Sequence, residues 1–351
     1  MKSSLIGVKM KKLNNFLTVI FTLLLMLDVA YAGGGNRTGT GGAAELLIPV
    51  GPRGIAMGEA SISTSYGLES LFWNPAGIAK MDNSTQVLFS HMSYIADIGV
   101  EYGAVASNFE GFGALALSIK ALSVGDIPVT TTLNPDGTGA TFSPQMIVAG
   151  LSYSRQLTDN IAVGLTSNFI SETLGDVSAS GIAFNVGIIY DNLANLNGLS
   201  IGVVLKNIGP QMTYSGTGLL TQADVQDFNR PPQYYTVSAA SFELPSNFQL
   251  AAGYKPVINE MNSLEVTGVY QNNNFSGDET KLGAEYGYHN TFFVRAGYQF
   301  AVQESDNYIY GLTAGAGINY DVGGIGVRID YAFRDVKYFD GNHIFSVSLG
   351  F

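Results

Sequence analysis

From residue 84 to the C-terminus, apolar side chains alternate with small or polar ones in segments of roughly 8 to 12 residues, the length a tilted strand needs to cross a bilayer. About fourteen segments can be drawn, at 84–95, 99–108, 112–122, 145–155, 160–171, 181–190, 199–207, 247–254, 262–271, 280–287, 291–299, 311–320, 325–333 and 343–351. In the fifth, Ile161, Val163, Leu165 and Phe169 share one face, and Ala162, Gly164, Thr166 and Asn168 share the other. In the thirteenth, Ile325, Val327, Ile329, Tyr331 and Phe333 oppose Gly326, Arg328, Asp330 and Ala332. The chain closes on Phe345, Val347, Leu349 and Phe351 against Ser346, Ser348 and Gly350. Only the first two segments are ambiguous in phase. Lipid outside and a lumen inside account for this alternation, and so does the half-buried strand of a soluble sandwich.

Connection lengths test the membrane reading. Membrane barrels keep inner turns short and place their long loops outside. If the first strand rises from the inner side, the third, seventh, eleventh and thirteenth strands lead into the gaps 123–144, 208–246, 300–310 and 334–342, which are the longer ones. Leu157-Thr158-Asp159-Asn160, Tyr288-His289-Asn290 and Asp321-Val322-Gly323-Gly324 are short and built from turn formers. The stretch 234–243 is also strand-like, but counting it would make the strand number odd, so it belongs to the long loop. The expected fold is all-β, a transmembrane antiparallel β-barrel of about fourteen strands over 84–351. Phe351 is the expected barrel-assembly signal, read by the assembly machinery.

The N-terminus agrees with export. Lys2, Lys9, Lys11 and Lys12 precede an apolar run from Phe16 to Leu27, and Ala30-Tyr31-Ala32 precedes a glycine. This is the pattern of a cleaved signal peptide over 1–32, with an apolar core too short to span a membrane. With no cysteine in the chain, disulfides, thiolate metal sites and a lipid-bearing N-terminal cysteine are excluded. The formal net charge of −11 argues against nucleic acid as a partner. The 43 glycines fit a barrel, where they relieve crowding on the concave inner wall. A nearly neutral mean hydropathy follows from lipid-facing and lumen-facing positions cancelling.

Residues 33–83 do not alternate and read as a plug or hatch. They hold Gly51-Pro52-Arg53-Gly54-Ile55-Ala56-Met57-Gly58-Glu59-Ala60, then Tyr66-Gly67-Leu68-Glu69-Ser70 and Phe72-Trp73-Asn74-Pro75-Ala76-Gly77-Ile78-Ala79. The small residues would let these turns pack closely inside a lumen. At this block the chain resembles the PorV/PorQ family of outer-membrane proteins, distant relatives of the FadL long-chain fatty acid transporters. Asn74-Pro75-Ala76 is the shared element. Asn207-Ile208-Gly209-Pro210, Leu282-Gly283-Ala284-Glu285-Tyr286 and Val294-Arg295-Ala296-Gly297-Tyr298 extend the resemblance over most of the mature chain. It implies a fourteen-stranded barrel in the cell outer membrane. It also implies a PorV-like accessory or shuttle in type IX secretion, with the translocon and the C-terminal signal domains of cargo as partners. The alternative is a FadL-like passage for hydrophobic compounds, with a hydrophobic small molecule as ligand. The loops are modest for the second role.

Candidate chemistry lies on the inner face. Lys120, Lys206, Glu265, Lys281, Glu285, Arg295, Arg328 and Asp330 are the expected lumen charges, lining a polar path or forming ion pairs that fill the lumen and anchor the plug. Glu285 with Arg295 is the expected pair. In the plug, Arg53, Met57, Gly58, Glu59, Trp73, Asn74, Pro75, Ala76 and Gly77 form the motif. Trp73 either contacts a hydrophobic ligand or wedges the plug against the wall. Pro75 fixes a bend and holds Asn74 extended. The three histidines, His91, His289 and His343, are scattered over a strand, an inner turn and an outer loop, so no hydrolase site is expected. No metal-ligand spacing occurs, and no cofactor is expected. The loop 208–246, with Tyr214, Phe228, Arg230, Pro231, Pro232, Tyr234 and Tyr235, is read as a docking surface or a cap over the barrel mouth.

Overall fold

The computed structural model describes residues 39–223, 232–302 and 308–351. The expected signal peptide over 1–32 lies outside them, as do Phe228, Arg230 and Pro231 of the long loop. Fourteen strands form one closed barrel. In chain order they are β1 (Thr85–Ser93), β2 (Gly99–Phe109), β3 (Gly113–Ser123), β4 (Gln145–Thr158), β5 (Ile161–Leu174), β6 (Val177–Asp191) and β7 (Leu199–Ile208). They continue as β8 (Asn247–Tyr254), β9 (Asn262–Asn273), β10 (Glu279–Tyr288), β11 (Phe292–Ala301), β12 (Tyr310–Val322), β13 (Ile325–Val336) and β14 (Asn342–Gly350). Each pairs antiparallel with the next, and β14 closes on β1.

All fourteen segments drawn from the alternation correspond to these strands, and in the twelve whose phase is unambiguous the faces come out as the pattern assigns them. Along β5, Ala162 and Thr166 are buried while Leu165 and Phe169 face outward; along β14, Ser346 is buried while Phe345 and Val347 face outward. Phe89, Leu117, Phe169, Val186, Leu250, Val266, Leu282, Val294, Ile329 and Phe345 are each at least 40% exposed and sit on strands all round the barrel. A continuous apolar belt of this size has to be covered by lipid. No helix among the described residues is long and apolar enough to span a membrane; the crossing elements are the strands.

Two of the short connections adopt left-handed backbone. His289 and Asn290 have φ of 52° and 51°, and Gly323 and Gly324 have 64° and 91°, as two-residue hairpin turns require. The strand-like stretch 234–243 stays out of the barrel. Gln233–Thr236 pairs instead with Leu220–Ala223 in a separate ribbon within the long loop. Several strands run past the expected ends, β4 to Thr158 and β6 from Val177, so the ladder extends beyond the stretch where apolar alternation is needed.

At the seam, the Phe351 N–H donates to the Thr85 carbonyl at 2.8 Å, and the Phe351 carbonyl accepts from the Ser84 N–H at 2.9 Å. Its ring is half exposed. Because the backbone closes the seam whatever the side chain, replacing Phe351 by Ser is expected to impair membrane assembly and leave export intact. Fractionation with a heat-modifiability gel measures this, and normal insertion of the variant would refute the role given to the terminal aromatic.

Candidate functional site

Residues 41–81 run through the barrel from one end to the other. At the long-loop end, the Gly42 N–H donates to the Glu243 carbonyl at 3.2 Å; at the short-turn end, the Lys80 ammonium pairs with Asp191 at the end of β6. Between these ends the chain makes short helical turns, among them α1 (Pro52–Ala56) and α2 (Ser70–Trp73). Pro52 opens α1, where its missing N–H costs nothing. Gly58 and Glu59, at φ 63° and 62°, turn the chain away from the wall immediately afterwards. Asn74 is extended before Pro75, at φ −152°; its side chain accepts from the Ala76 N–H at 3.1 Å and donates to the carbonyls of Ile62 and Ile188, each at 3.1 Å. One amide thereby starts a turn, ties it to an earlier turn and fastens both to β6.

The wall accommodates this segment with glycines. A Cβ on Gly283 or Gly297 would overlap the backbone of Met57 and Gly58, and one on Gly164 or Gly187 would overlap Asn74 and Pro75. Gly77 packs against the Ser65 carbonyl in the same way. Ala76 is fully buried beside Ala162 and Ile189. Trp73 is buried. Its indole lies over Gly54 of α1, where a Cβ would collide with it, and meets the Phe72 ring edge-on with centroids 5.0 Å apart. The reason is chain geometry: the turns between α1 and α2 bring Trp73 back onto a residue that presents no side chain.

Electrostatics tie the segment to β9, β10, β11 and β13. Glu265 and Glu285 are direct cross-strand partners, and Arg53 bridges them, its Nε donating to Glu285 at 2.9 Å and its Nη2 to Glu265 at 3.1 Å. Arg295 donates to Glu285 at 2.5 Å and to Asp330 at 2.6 Å. Arg328 donates to Asp330 at 2.8 Å and lies 3.7 Å from Glu69. The result is one alternating chain, Glu265, Arg53, Glu285, Arg295, Asp330, Arg328, Glu69, joining wall and segment at both ends. Nearer the long loops, Glu59 accepts from Lys281 at 2.7 Å and Arg334 at 2.9 Å. Burial would raise the Glu59 carboxyl, but Lys281 and Arg334 outweigh it and hold it below the usual carboxylate range. Burial would likewise lower Arg53, and Glu285 with Glu265 reverses that. Each ion is stable in the lumen only because its partners are present.

Two expected lumen charges stand outside these pairs. The Lys120 ammonium donates to the carbonyls of Glu45 and Ile48, at 2.6 and 3.0 Å, closing the turn Ala44–Leu47. Lys206 lies 3.7 Å from the centre of the Phe72 ring and has no ionic partner among the described residues. The Glu45 carboxyl, first by burial and then by its neighbour Glu172, is raised to about 7. Tyr214 donates to Glu172 and stacks on Phe242, and the Phe242 ring closes over Gly42. The base of the long loop is therefore folded into the barrel mouth, while its ribbon is exposed at every residue.

Glu69 and Arg334 were not among the residues singled out from sequence. Arg334 continues the inner face of Arg328 and Asp330, and ending that strand at 333 dropped it. His91 faces outward with Glu101, His343 stacks on Tyr331 outside the wall, and His289 sits in a turn, so the histidines do not converge.

A family model described as type IX secretion system protein PorV matches residues 32–273. No curated protein sequence matches the chain. Among solved structures, the toluene transporter TbuX of Ralstonia pickettii is similar with a TM-score of 0.55 at 15% identity, over 86% of this chain and 98% of that one. The toluene transporter TodX of Pseudomonas putida is similar with a TM-score of 0.53 at 14% identity, over 86% and 97%. At such identities the likeness establishes the shared barrel fold alone.

Proposed function

Because the chain belongs to the PorV family of the type IX secretion system, we propose that it is an outer-membrane accessory or shuttle that receives exported proteins by their C-terminal signal domains and carries them on from the translocon. The observation that carries this reading is the contrast between lumen and loop. The lumen is occupied by a segment held through seven alternating charges. The ribbon Leu220–Ala223 with Gln233–Thr236, by contrast, stands outside the barrel with Tyr234 and Tyr235 exposed. Binding energy is available on the loop, not along a path through the wall.

The alternative, passage of hydrophobic compounds, calls for a continuous apolar conduit and a break in the wall. Every barrel strand is paired on both sides, and the cavity at the long-loop end mixes apolar side chains of the luminal segment with amides and charges of the wall. Those features favour the shuttle. Removing residues 217–237 is expected to leave the barrel inserted and to abolish co-purification of proteins bearing a C-terminal signal domain. Mass spectrometry of material retained by the tagged barrel under mild detergent measures this. Unchanged recovery of such proteins, or recovery of a lone barrel carrying fatty or aromatic ligand, would overturn the reading.

A further inference from the structure

The luminal segment leaves a cavity of about 270 Å³ at the long-loop end of the barrel. Its wall is a polar band on adjacent strands. Lys206 on β7 stands directly opposite Asn247 on β8, Asn247 opposite Asn273 on β9, Gln271 opposite Glu279 on β10, and Lys281 opposite Gln299 on β11. All of these side chains line the cavity, and the luminal segment adds Leu46, Leu47, Ile48, Pro49, Phe72 and Trp73 to the lining.

The charges in this lining do not balance. Lys206, Lys281 and Arg334 face Glu59 and Glu279, an excess of one positive charge. Lys281 is paired with both carboxylates and Arg334 with Glu59, so the excess resides on Lys206. Lys206 is 4% exposed and has no hydrogen bond or ion pair among the described residues, only the face of Phe72. A phenyl face returns a small part of the hydration a buried ammonium gives up. Beside it, Gln249 donates to Asn247 and Gln271 donates to Asn273, at 2.9 and 2.7 Å. Among the described residues that leaves the Asn247 N–H donors and the Gln249 carbonyl without a partner, a donor and an acceptor next to an unpaired cation.

We propose that this cavity binds a small hydroxylated monocarboxylate, a sugar acid, with its carboxylate on Lys206 and its hydroxyls on the Asn247 and Gln249 amides. One negative charge cancels the excess. A zwitterionic amino acid would not, since its ammonium restores the imbalance. A hydroxyl both donates and accepts, as the free amide groups require. A fatty carboxylate would satisfy Lys206 but would leave the free Asn247 and Gln249 amide groups without hydrogen-bond partners. The cavity lies at the long-loop end of the lumen, and the proposal is independent of the secretion role.

The test is titration calorimetry of the full barrel in mild detergent with glucuronate, glucose and decanoate. Glucuronate is expected to bind saturably at millimolar concentration and glucose about tenfold or more weaker, the loss that goes with a charge-assisted hydrogen bond. Decanoate should not compete. Lys206→Met should remove glucuronate binding and Lys206→Arg retain part of it, with heat-modifiable mobility showing both variants folded. Absent glucuronate binding, equal binding of glucose, preference for decanoate, or unchanged binding in Lys206→Met would each overturn the proposal. The three-ligand comparison on the unaltered protein decides the matter even if Lys206→Met does not fold.

Discussion

Replacing Arg53 by methionine is expected to cost about 3–5 kcal/mol, the loss that follows removal of one partner from a buried ionic network. Glu265 and Glu285 face each other across β9 and β10, and the Arg53 guanidinium is the group that lies between them. Like charges directly opposite on a sheet repel, and in a lumen neither carboxylate can turn to water. Arg295 would still serve Glu285, but among the described residues Glu265 has no other ionic partner. The expected result is a lower unfolding midpoint on a heat-modifiability gel and a luminal segment open to protease. Combining Arg53→Met with Glu265→Gln should recover much of the loss, because the amide removes the charge that was left unpaired. An unaltered midpoint in Arg53→Met would show that the network does not hold the segment in place.

Replacing Gly297 by valine is expected to displace the luminal segment and make the barrel leak. A Cβ at Gly297 meets the Gly58 nitrogen and the Met57 carbonyl carbon, both backbone atoms, so no flexible side chain can yield. Gly58 donates to the Thr313 hydroxyl at 3.0 Å, and that hydroxyl donates to the Ala56 carbonyl at 2.9 Å; displacement breaks both bonds. Overpacking of about 1–3 kcal/mol adds to about 1 kcal/mol for each lost hydrogen bond. Solute flux into proteoliposomes should rise for Gly297→Val and not for Gly103→Val, where the nearest atom is a side-chain methyl 3.8 Å from the new Cβ. Equal flux in the two variants would mean that the segment does not seal the barrel.

The two predictions rest on different degrees of legibility in the chain. The inward position of Glu265, Glu285, Arg295 and Asp330 follows from a period of two, which any window of a few residues displays. Strand number, the in-out phase of each strand, the hairpin turns at 289–290 and 323–324 and the exclusion of 234–243 from the barrel are local or additive properties of the same kind. The pairing of Glu285 with Arg295 was also within reach, since a short turn sets the register of β10 on β11. Arg53 is another matter. It meets Glu285 from 232 residues away, a contact that depends on how the segment threads the closed barrel. No periodicity encodes that path.

The same limit explains Trp73, whose burial its surroundings announce but whose partner, Gly54, is set by how the intervening turns fold back. It explains Lys206 too. Alternation places its side chain inside, whereas its lack of a counter-ion emerges once Glu59 and Glu279 are seen to be taken by Lys281 and Arg334. Backbone alternation and turn chemistry act between neighbours, so they are written along the chain and specify the wall. Charge balance and close packing act between groups that meet after closure, so the contents of the lumen, and a Lys206 without an ionic partner among the described residues, exist as facts of the folded barrel.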